Sequence, residues 1–242
     1  MIILPAIDIC NGNCVRLYQG DFSTAEKVAE NPLDTAQWFR SQGAKWLHMV
    51  DLDGAKHGTL ANREIIVQTA KESGLLVELG GGIRDMHSIE YYLERGISRV
   101  ILGSAAIKNP RLVKDAAGAY GEKIAVGIDA LNGMVATHGW LQSSDMDYIE
   151  LARRMEAVGV RTIIFTDIGR DGTLAGPNLT QLESINRAVS CDIIASGGVA
   201  NLRNIKDIKA IGVYGAICGK SIYKGTLDLR EAIKVAGEQT DE

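Results

Sequence analysis

Eight short apolar runs alternate with eight longer amphipathic stretches, and this alternation limits the possible folds more than any other feature of the sequence. The runs are rich in Ile and Val and cover residues 2–8, 46–51, 75–79, 99–103, 123–129, 161–167, 192–196 and 214–219. The amphipathic stretches predict helices near residues 33–42, 62–72, 86–96, 110–119, 146–158, 179–189, 202–210 and 226–237. Uniformly apolar strands are typical of a parallel sheet that helices cover on both faces.

Eight strand–helix units in 242 residues predict an α/β fold of the (β/α)8 barrel type, in a single domain over residues 1–242. An open, doubly wound sheet is the alternative. Its dinucleotide-binding signature G-x-G-x-x-G would follow the first strand, where this chain has DICNG at residues 8–12. The barrel is therefore the favoured architecture.

The chain also repeats itself in two halves. The stretch VDLDGAKHGTLAN at residues 50–62 recurs as TDIGRDGTLAGPN at residues 166–178. Asp8 recurs as Asp129, 121 residues later, and the glycines after the third and fourth strands recur 116 residues later. Units one to four therefore match units five to eight in order. The simplest interpretation is a barrel of two repeated half-barrels, related by a pseudo-twofold axis.

Composition argues against several classes of protein. The formal net charge of −4 gives no reason to expect nucleic acid, since phosphate-backbone binders carry a basic field. The four cysteines form no C-x-x-C pair and the four histidines are too sparse for a metal cluster, so we expect no disulfide framework and no metal. No apolar stretch approaches the roughly 20 residues of a membrane span, and no signal peptide is recognisable. We therefore expect no membrane contact and a cytoplasmic location.

Glycine-rich turns follow the third and fourth strands of each half. Backbone N–H groups of a glycine turn at a helix N-terminus bind anions, and barrels commonly place phosphate sites after strands seven and eight. The alternative for a lone glycine pair is a tight turn without a ligand. Two matching sets predict two phosphate sites on opposite sides of the mouth, and hence a ligand with a phosphate at each end. The predicted phosphate-binding residues are Gly81, Gly82, Gly103, Ser104, Gly197, Gly198, Gly219 and Ser221.

Carboxylates end two strands at equivalent positions. Asp8 closes the first strand and Asp129 the fifth, so a barrel sets them across the mouth from each other. Two carboxylates that face one pocket point to an acid/base pair, in which burial keeps one protonated while the other stays ionised. For either one alone, a loop cap through the following Asn-Gly turn is the alternative. Asp171 is a third candidate, in one half only.

Three further residues are candidates for ligand contacts. His48 lies in the second strand, and its counterpart in the second half is Ile164. A core histidine bonded to a carbonyl group is the alternative for this residue. Arg84 follows the first glycine turn and could hold a phosphate with two N–H groups. Trp140 could stack on a flat base or simply cover the pocket.

Together these motifs resemble the HisA family, the phosphoribosylformimino-aminoimidazole-carboxamide ribotide isomerases of histidine biosynthesis. The likeness covers essentially the whole chain and rests on PAID (5–8), VRLYQGD (15–21), LHMVDLDGA (47–55), GGGIR (80–84) and DGTLAGPN (171–178). It implies a (β/α)8 barrel that turns an aminoaldose into an aminoketose by an Amadori rearrangement. The implied substrate is a bisphosphate with two phosphoribosyl arms, and neither a cofactor nor an obligate protein partner is implied.

The resemblance also implies roles for individual residues. Asp8 would be the general base and Asp129 the general acid, with Thr166 and Asp171 at the same centre. Whether Asp129 or Asp171 protonates the ring oxygen is left open. The segment CNGN at residues 10–13 departs from the family, where charged residues are common, so contacts of the first loop are less well supported than Asp8 itself.

Three other functions remain open at this point. The cyclase subunit of imidazole glycerol phosphate synthase shares the half-barrel repeat and works with a glutaminase. It usually has a K-G-x-N-F loop where this chain has YQGDF at residues 18–22. A bifunctional branch of the isomerases also acts on phosphoribosylanthranilate. A non-catalytic sugar-phosphate-binding barrel would hold the bisphosphate without turnover and would leave the aspartate pair unexplained.

Overall fold

The computed structural model describes residues 1–58, 60–137, 140 and 142–237. Twelve strands occur within these residues: β1 (Ile2–Cys10), β2 (Asn13–Tyr18), β3 (Asp21–Ala29), β4 (Trp46–Asp51), β5 (Leu76–Gly80), β6 (Arg99–Leu102), β7 (Ile124–Leu131), β8 (Met134–Thr137), β9 (Gln142–Asp147), β10 (Thr162–Asp167), β11 (Asp192–Ser196) and β12 (Gly215–Cys218). Eleven α-helices occur in the same residues: α1 (Pro32–Ser41), α2 (Leu52–His57), α3 (Arg63–Glu72), α4 (Met86–Leu93), α5 (Ala105–Lys108), α6 (Pro110–Tyr120), α7 (Tyr148–Ala157), α8 (Leu179–Ala188), α9 (Leu202–Ile211), α10 (Lys220–Tyr223) and α11 (Leu229–Ala236).

Eight parallel strands close into a ring, which confirms the predicted (β/α)8 barrel. The order around the ring is β1, β4, β5, β6, β7, β10, β11 and β12, and β12 pairs with β1 again. In this ring β1 lies opposite β7, and β5 and β6 lie opposite β11 and β12. The strands that carry the first and fifth aspartates therefore face each other, and so do the two sets of glycine turns.

The apolar runs form strands because both of their faces are buried. All six residues of β10 and all four of β12 are buried, for example. One face packs against the helices, as at Phe39 of α1 and Ile66 of α3. The other face fills the barrel interior with a smaller apolar cluster of Leu4, Ala6, Ile101, Ala125, Ile164, Ile194 and Ile217.

Several helices begin at a capping side chain. Asn31, Asp85, Asp147, Asn201 and Asp228 each accept a hydrogen bond from a backbone N–H of the following first turn. The last cap explains why α11 begins later than the periodicity predicted. No helix in the described part of the chain is both long and apolar enough to cross a membrane.

Two antiparallel extensions at the mouth, β1–β2–β3 and β7–β8–β9, were not predicted. β1 turns back into β2, and β7 turns back into β8, at the same Asn-Gly dipeptide. The φ angles are 50° and 76° at Asn11 and Gly12, and 54° and 83° at Asn132 and Gly133, as the two-residue hairpin turn requires. These hairpins extend the rim at equivalent places in the two halves.

Candidate active site

A cavity of about 450 Å³ opens at the carboxyl ends of the barrel strands, where barrel enzymes place their chemistry. All predicted site residues except one line it. They are Asp8, His48, Gly81, Gly82, Arg84, Gly103, Ser104, Asp129, Trp140, Thr166, Asp171, Gly197, Gly198 and Gly219.

Ser221 is the exception. It is fully buried in α10, and its Oγ has no hydrogen-bond partner among the described residues. Ser221 is the second residue of α10 and is not among the residues that line the cavity. Lys220 lines the cavity instead, and its Nζ donates a hydrogen bond to the carbonyl of Gly172 at 2.7 Å.

The glycine turns of the two halves have matching conformations. Gly81 and Gly197 have φ angles of 103° and 94°, in the left-handed region that glycine adopts most easily. A Cβ atom would lie 2.2 Å from the carbonyl oxygen of Asp51 at Gly81, and 2.9 Å from that of Asp167 at Gly197. Each turn therefore packs directly on the backbone of the preceding unit and leaves no room for a side chain.

Each half also contains an aspartate–asparagine pair, which we call the Asp–Asn clasp. Asp51 Oδ1 accepts a hydrogen bond from Asn62 Nδ2 at 2.7 Å, and Asp167 Oδ2 accepts one from Asn178 Nδ2, also at 2.7 Å. Both aspartates also accept a backbone N–H of the intervening loop, at 2.9 Å. The clasps hold the loops against which the glycine turns pack. They were missed, although both lie within the repeated stretch at the same spacing.

Asp8 forms an ion pair with Arg16 of β2. Arg16 Nη1 donates to Asp8 Oδ2 at 2.6 Å, and Nη2 donates to the carbonyl of Ala6 at 2.7 Å. The guanidinium also lies 5.3 Å from the ring centroid of Tyr223. Arg16 lines the cavity beside Gly219, where a Cβ atom would lie 2.3 Å from Nη2. Arg16 was missed as a site residue because the hairpin that carries it was not predicted.

Asp129 has different partners from its counterpart Asp8. Burial raises the pKa of the Asp129 carboxyl above its usual value, while hydrogen bonds from Trp140 and Thr166 lower it in part. The two equivalent aspartates therefore have different surroundings: one is paired with a guanidinium and the other is buried with neutral donors.

Asp171 lies at the same centre. Burial and then the negative charge of Asp8 raise the pKa of Asp171 to about 6, although Arg16 opposes the shift. A carboxyl with such a pKa holds its proton in a useful fraction of molecules near neutral pH. Three carboxylates thus share one cavity, and burial raises the pKa of two of them, Asp129 and Asp171.

The remaining candidates also lie at the wall. His48 Nδ1 is 2.7 Å from Glu78 Oε1, so the partner of the imidazole is a carboxylate and not a carbonyl group. Arg84 Nη2 donates to the carbonyl of Ala55 at 3.1 Å. In the described part of the chain, no group of three His, Cys, Asp or Glu could hold a metal ion.

The closed ring, with matching glycine turns around one cavity that contains three aspartates, defines a (β/α)8 barrel protein with two similar halves. A model of the histidine biosynthesis protein family matches residues 2–228. The chain belongs to this family, which confirms the resemblance seen in the sequence.

Several clostridial proteins are similar over nearly the whole length. A protein of Clostridium botulinum (strain Okra / Type B1) is 52% identical over 240 residues, which cover 99% of both chains. Relatives from Clostridium novyi and Clostridium beijerinckii are 51% and 52% identical over 98% of this chain and 99% of their own. All three carry the name 1-(5-phosphoribosyl)-5-((5-phosphoribosylamino)methylideneamino)imidazole-4-carboxamide isomerase.

Proposed function

We propose that this protein acts as the isomerase after which these relatives are named, and converts the aminoaldose into the aminoketose by an Amadori rearrangement. One observation carries the proposal: Asp8, Asp129 and Asp171 share a cavity that lies between two opposed sets of glycine turns. We also propose that residues 1–242 form a single domain that works in the cytoplasm without an obligate protein partner.

The glycine turns bind the two phosphates in this proposal. Gly81, Gly82, Gly103, Ser104 and Arg84 hold one phosphate, and Gly197, Gly198 and Gly219 hold the other. The support is geometric: the glycines of both sets follow opposed strands and have no side chains that would keep an anion from the backbone N–H groups. A ligand with a phosphoribosyl group at each end would span the mouth, with its centre at the carboxylates.

Asp8 is the proposed general base. The reaction needs an acid to protonate the furanose ring oxygen, which opens the ring to a protonated Schiff base. A base then removes the C2′ proton, and the resulting enolamine takes up a proton at C1′ and releases the proton of its 2′-hydroxyl to give the ketone. The Arg16 ion pair supports this role, because the guanidinium holds the Asp8 carboxylate in place at the wall of the cavity.

We assign the general acid to Asp171. Its pKa of about 6 makes it an easier proton carrier than an ordinary aspartate. Burial raises the pKa of Asp129 as well, although hydrogen bonds from Trp140 and Thr166 oppose that shift, and these bonds hold the carboxylate in a fixed orientation. Asp129 and Thr166 would then orient the ring and stabilise the cationic Schiff base. This assignment differs from the one that the family resemblance implied, in which Asp129 is the acid.

The alternatives have less support. The names of the relatives favour an isomerase over the cyclase. A sugar-phosphate sensor would not need three carboxylates in its cavity, because each buried charge costs binding energy for an anionic ligand.

An assay with the purified protein tests the proposal. The protein is dialysed against a strong chelator and incubated with the aminoaldose, and the aminoketose is measured; phosphoribosylanthranilate is tested in parallel. We expect full turnover of the first substrate without added metal. Absence of turnover, or turnover that depends on one divalent ion, would contradict the proposal. Turnover of both substrates would place the protein in the bifunctional branch.

A further inference from the structure

A row of three charged or polar side chains crosses the interior of the first half-barrel. His48 of β4, Glu78 of β5 and Arg99 of β6 occupy paired register positions on neighbouring strands. His48 Nδ1 lies 2.7 Å from Glu78 Oε1, and Arg99 Nη1 lies 3.1 Å from Glu78 Oε2. Glu78 is fully buried, and the guanidinium of Arg99 also stacks on Trp46 at 4.5 Å. We call this row the His–Glu–Arg row.

The second half-barrel has no such row at the equivalent place. Ile164 of β10, Ile194 of β11 and Gly215 of β12 occupy the same paired positions there. Both isoleucines belong to the apolar cluster of the barrel interior. The two half-barrels are therefore alike at the rim and different beneath the cavity.

The His–Glu–Arg row determines which nitrogen of the His48 imidazole carries a hydrogen. The Glu78 carboxylate, paired with Arg99, can only accept hydrogen bonds, so Nδ1 of His48 must carry a hydrogen. In the neutral ring this leaves Nε2 as an acceptor. His48 lines the cavity with 12% of its side chain exposed, among apolar neighbours such as Ala6, Ile101 and Ile164.

We propose that His48 is a specificity-determining residue that fixes the direction in which a two-armed ligand lies across this cavity. The inference rests on the proposed function, in which the ligand carries a phosphoribosyl group at each end. Two matching phosphate sites accept such a ligand in two directions, and only one direction brings the aminoaldose to Asp8 and Asp171.

His48 and Ile164 lie on opposite strands of the barrel, so the ligand makes different contacts in its two directions. In the productive direction Nε2 accepts a hydrogen bond from a hydroxyl or amide N–H group of the ligand. In the reversed direction the same group faces Ile164 and loses its partner. An unmade hydrogen bond of this kind shifts the balance between the directions by about 10-fold or more.

Two substitutions separate this role from a structural one. His48→Asn keeps an amide near Nδ1, within reach of Glu78, but removes the acceptor at Nε2. His48→Gln places an amide oxygen near Nε2. We expect kcat/KM to fall by about 10-fold or more in His48→Asn and by less in His48→Gln. Inhibition by inorganic phosphate should stay unchanged in both, since the glycine turns are untouched.

Ile194→Val is the matched control. Ile194 occupies the place of Glu78 in the second half and lies outside the cavity wall. Its change to Val removes one methyl group from the same interior layer. We expect an unchanged kcat/KM and a small loss of thermal stability. Wild-type kcat/KM in His48→Asn, or equal losses in the Asn and Gln variants, would overturn the inference.

Crystal structures give the direct test. Asp8→Asn, which should stall turnover, is crystallised with the aminoaldose, alone and combined with His48→Asn. We expect one ligand direction in the single variant and both directions in the double variant. A single direction in both would overturn the inference while the proposed function stands. Lack of turnover in the wild-type protein would instead contradict the proposed function itself.

Discussion

The two half-barrels match at the rim and differ inside. Both carry an Asp–Asn clasp with the same 2.7 Å hydrogen bond, and both carry glycine turns that pack on the clasped loop. Beneath the rim, the His–Glu–Arg row faces two isoleucines and a glycine. The repeated parts match the two equivalent ends of the proposed ligand, whereas the proposed chemistry and ligand direction depend on residues that the two halves do not share.

The equivalent aspartates show the same division. Asp8 has a guanidinium partner in Arg16, whereas Asp129 is buried and accepts hydrogen bonds from Trp140 and Thr166. One repeated sequence position therefore holds two carboxylates with different surroundings, one beside a guanidinium and one beside neutral hydrogen-bond donors.

The largest effect should come from breaking this equivalence. Asp8→Asn and Asp129→Asn keep the size of the side chain and remove its charge. We expect kcat to fall by roughly 10²–10⁴ in Asp8→Asn, because proton abstraction is lost, while ligand affinity changes little. The loss in Asp129→Asn should be smaller, because the proposed acid Asp171 is retained. Steady-state kinetics and the ligand Kd measure both effects.

Near-normal kcat in Asp8→Asn would show that this aspartate merely caps its loop. Equal losses in the two variants would contradict the assignment of the acid to Asp171.

The next effect concerns the single glycines Gly103 and Gly219. A Cβ atom at Gly103 meets nothing within 4 Å, whereas one at Gly219 would lie 2.3 Å from Arg16 Nη2. Gly219→Ala should displace the guanidinium from Asp8, lowering kcat and raising KM, each by about 10-fold. Gly103→Ala should have a smaller effect on KM and leave kcat nearly intact.

Gly103→Asp then tests the phosphate site itself. The added negative charge should raise KM by about 10-fold or more over Gly103→Ala, since it repels the phosphate. Identical KM values for the two Gly103 variants, with correct folding shown by circular dichroism, would contradict the proposed phosphate site in the first half-barrel.

The two Asp–Asn clasps have similar geometry, but we expect them to contribute differently to the free energy of unfolding. Asn62 bonds to Asp51, to Asp53 at 2.8 Å and to the backbone N–H of Gly12 at 3.1 Å. Asn178 bonds to Asp167 and caps α8. We expect Asn62→Ala to lower the free energy of unfolding by about 3 kcal/mol and Asn178→Ala by about 2 kcal/mol, measured by urea unfolding. A larger loss in Asn178→Ala than in Asn62→Ala would show that the second clasp contributes more to the stability of the protein.

The smallest effect is a gain in stability. Because the pKa of Asp171 is raised to about 6 in the folded protein, ionisation of this carboxyl favours the unfolded chain as the pH rises through 6. Asp171→Asn should therefore raise the free energy of unfolding by about 1–2 kcal/mol at pH 8, or roughly 2–8 °C in Tm. The gain should vanish below about pH 4, where both forms are neutral. A gain that persists at pH 3.5 would point to packing instead of charge.

The barrel could be predicted because its strands are buried on both faces and its helices on one. Burial therefore determines the pattern of apolar residues, which is continuous in the strands and amphipathic in the helices. The rim hairpins could not. β3 is mostly exposed, and its sequence DFSTAEKVA has no continuous apolar face. Arg16 was missed as well, because it lies on β2, and the unpredicted pairing of β2 with β1 brings it to Asp8.

Site residues that directly follow a strand could be predicted from the sequence. Contacts that depend on how neighbouring strands pair could not. The loss of symmetry at His48 was visible in the repeat, but its partners Glu78 and Arg99 lie in other apolar runs, and strand register brings them together. Ser221 was predicted to bind phosphate because it lies two residues after Gly219, in one of the two matching glycine-rich turns. In the structure it is fully buried in α10 and does not line the cavity.

The tight packing of Gly81, Gly82, Gly197 and Gly198 has a consequence for the evolution of such barrels. A Cβ atom at any of the four would lie within 3 Å of a backbone atom of the preceding loop. Selection for folding alone will therefore retain these glycines, even in a descendant that has lost its phosphate ligand. Gly103, where a side chain meets open space, is free to drift once the ligand is gone. Among descendants of this chain, the residue at position 103 will report a change of function before the glycine pairs do.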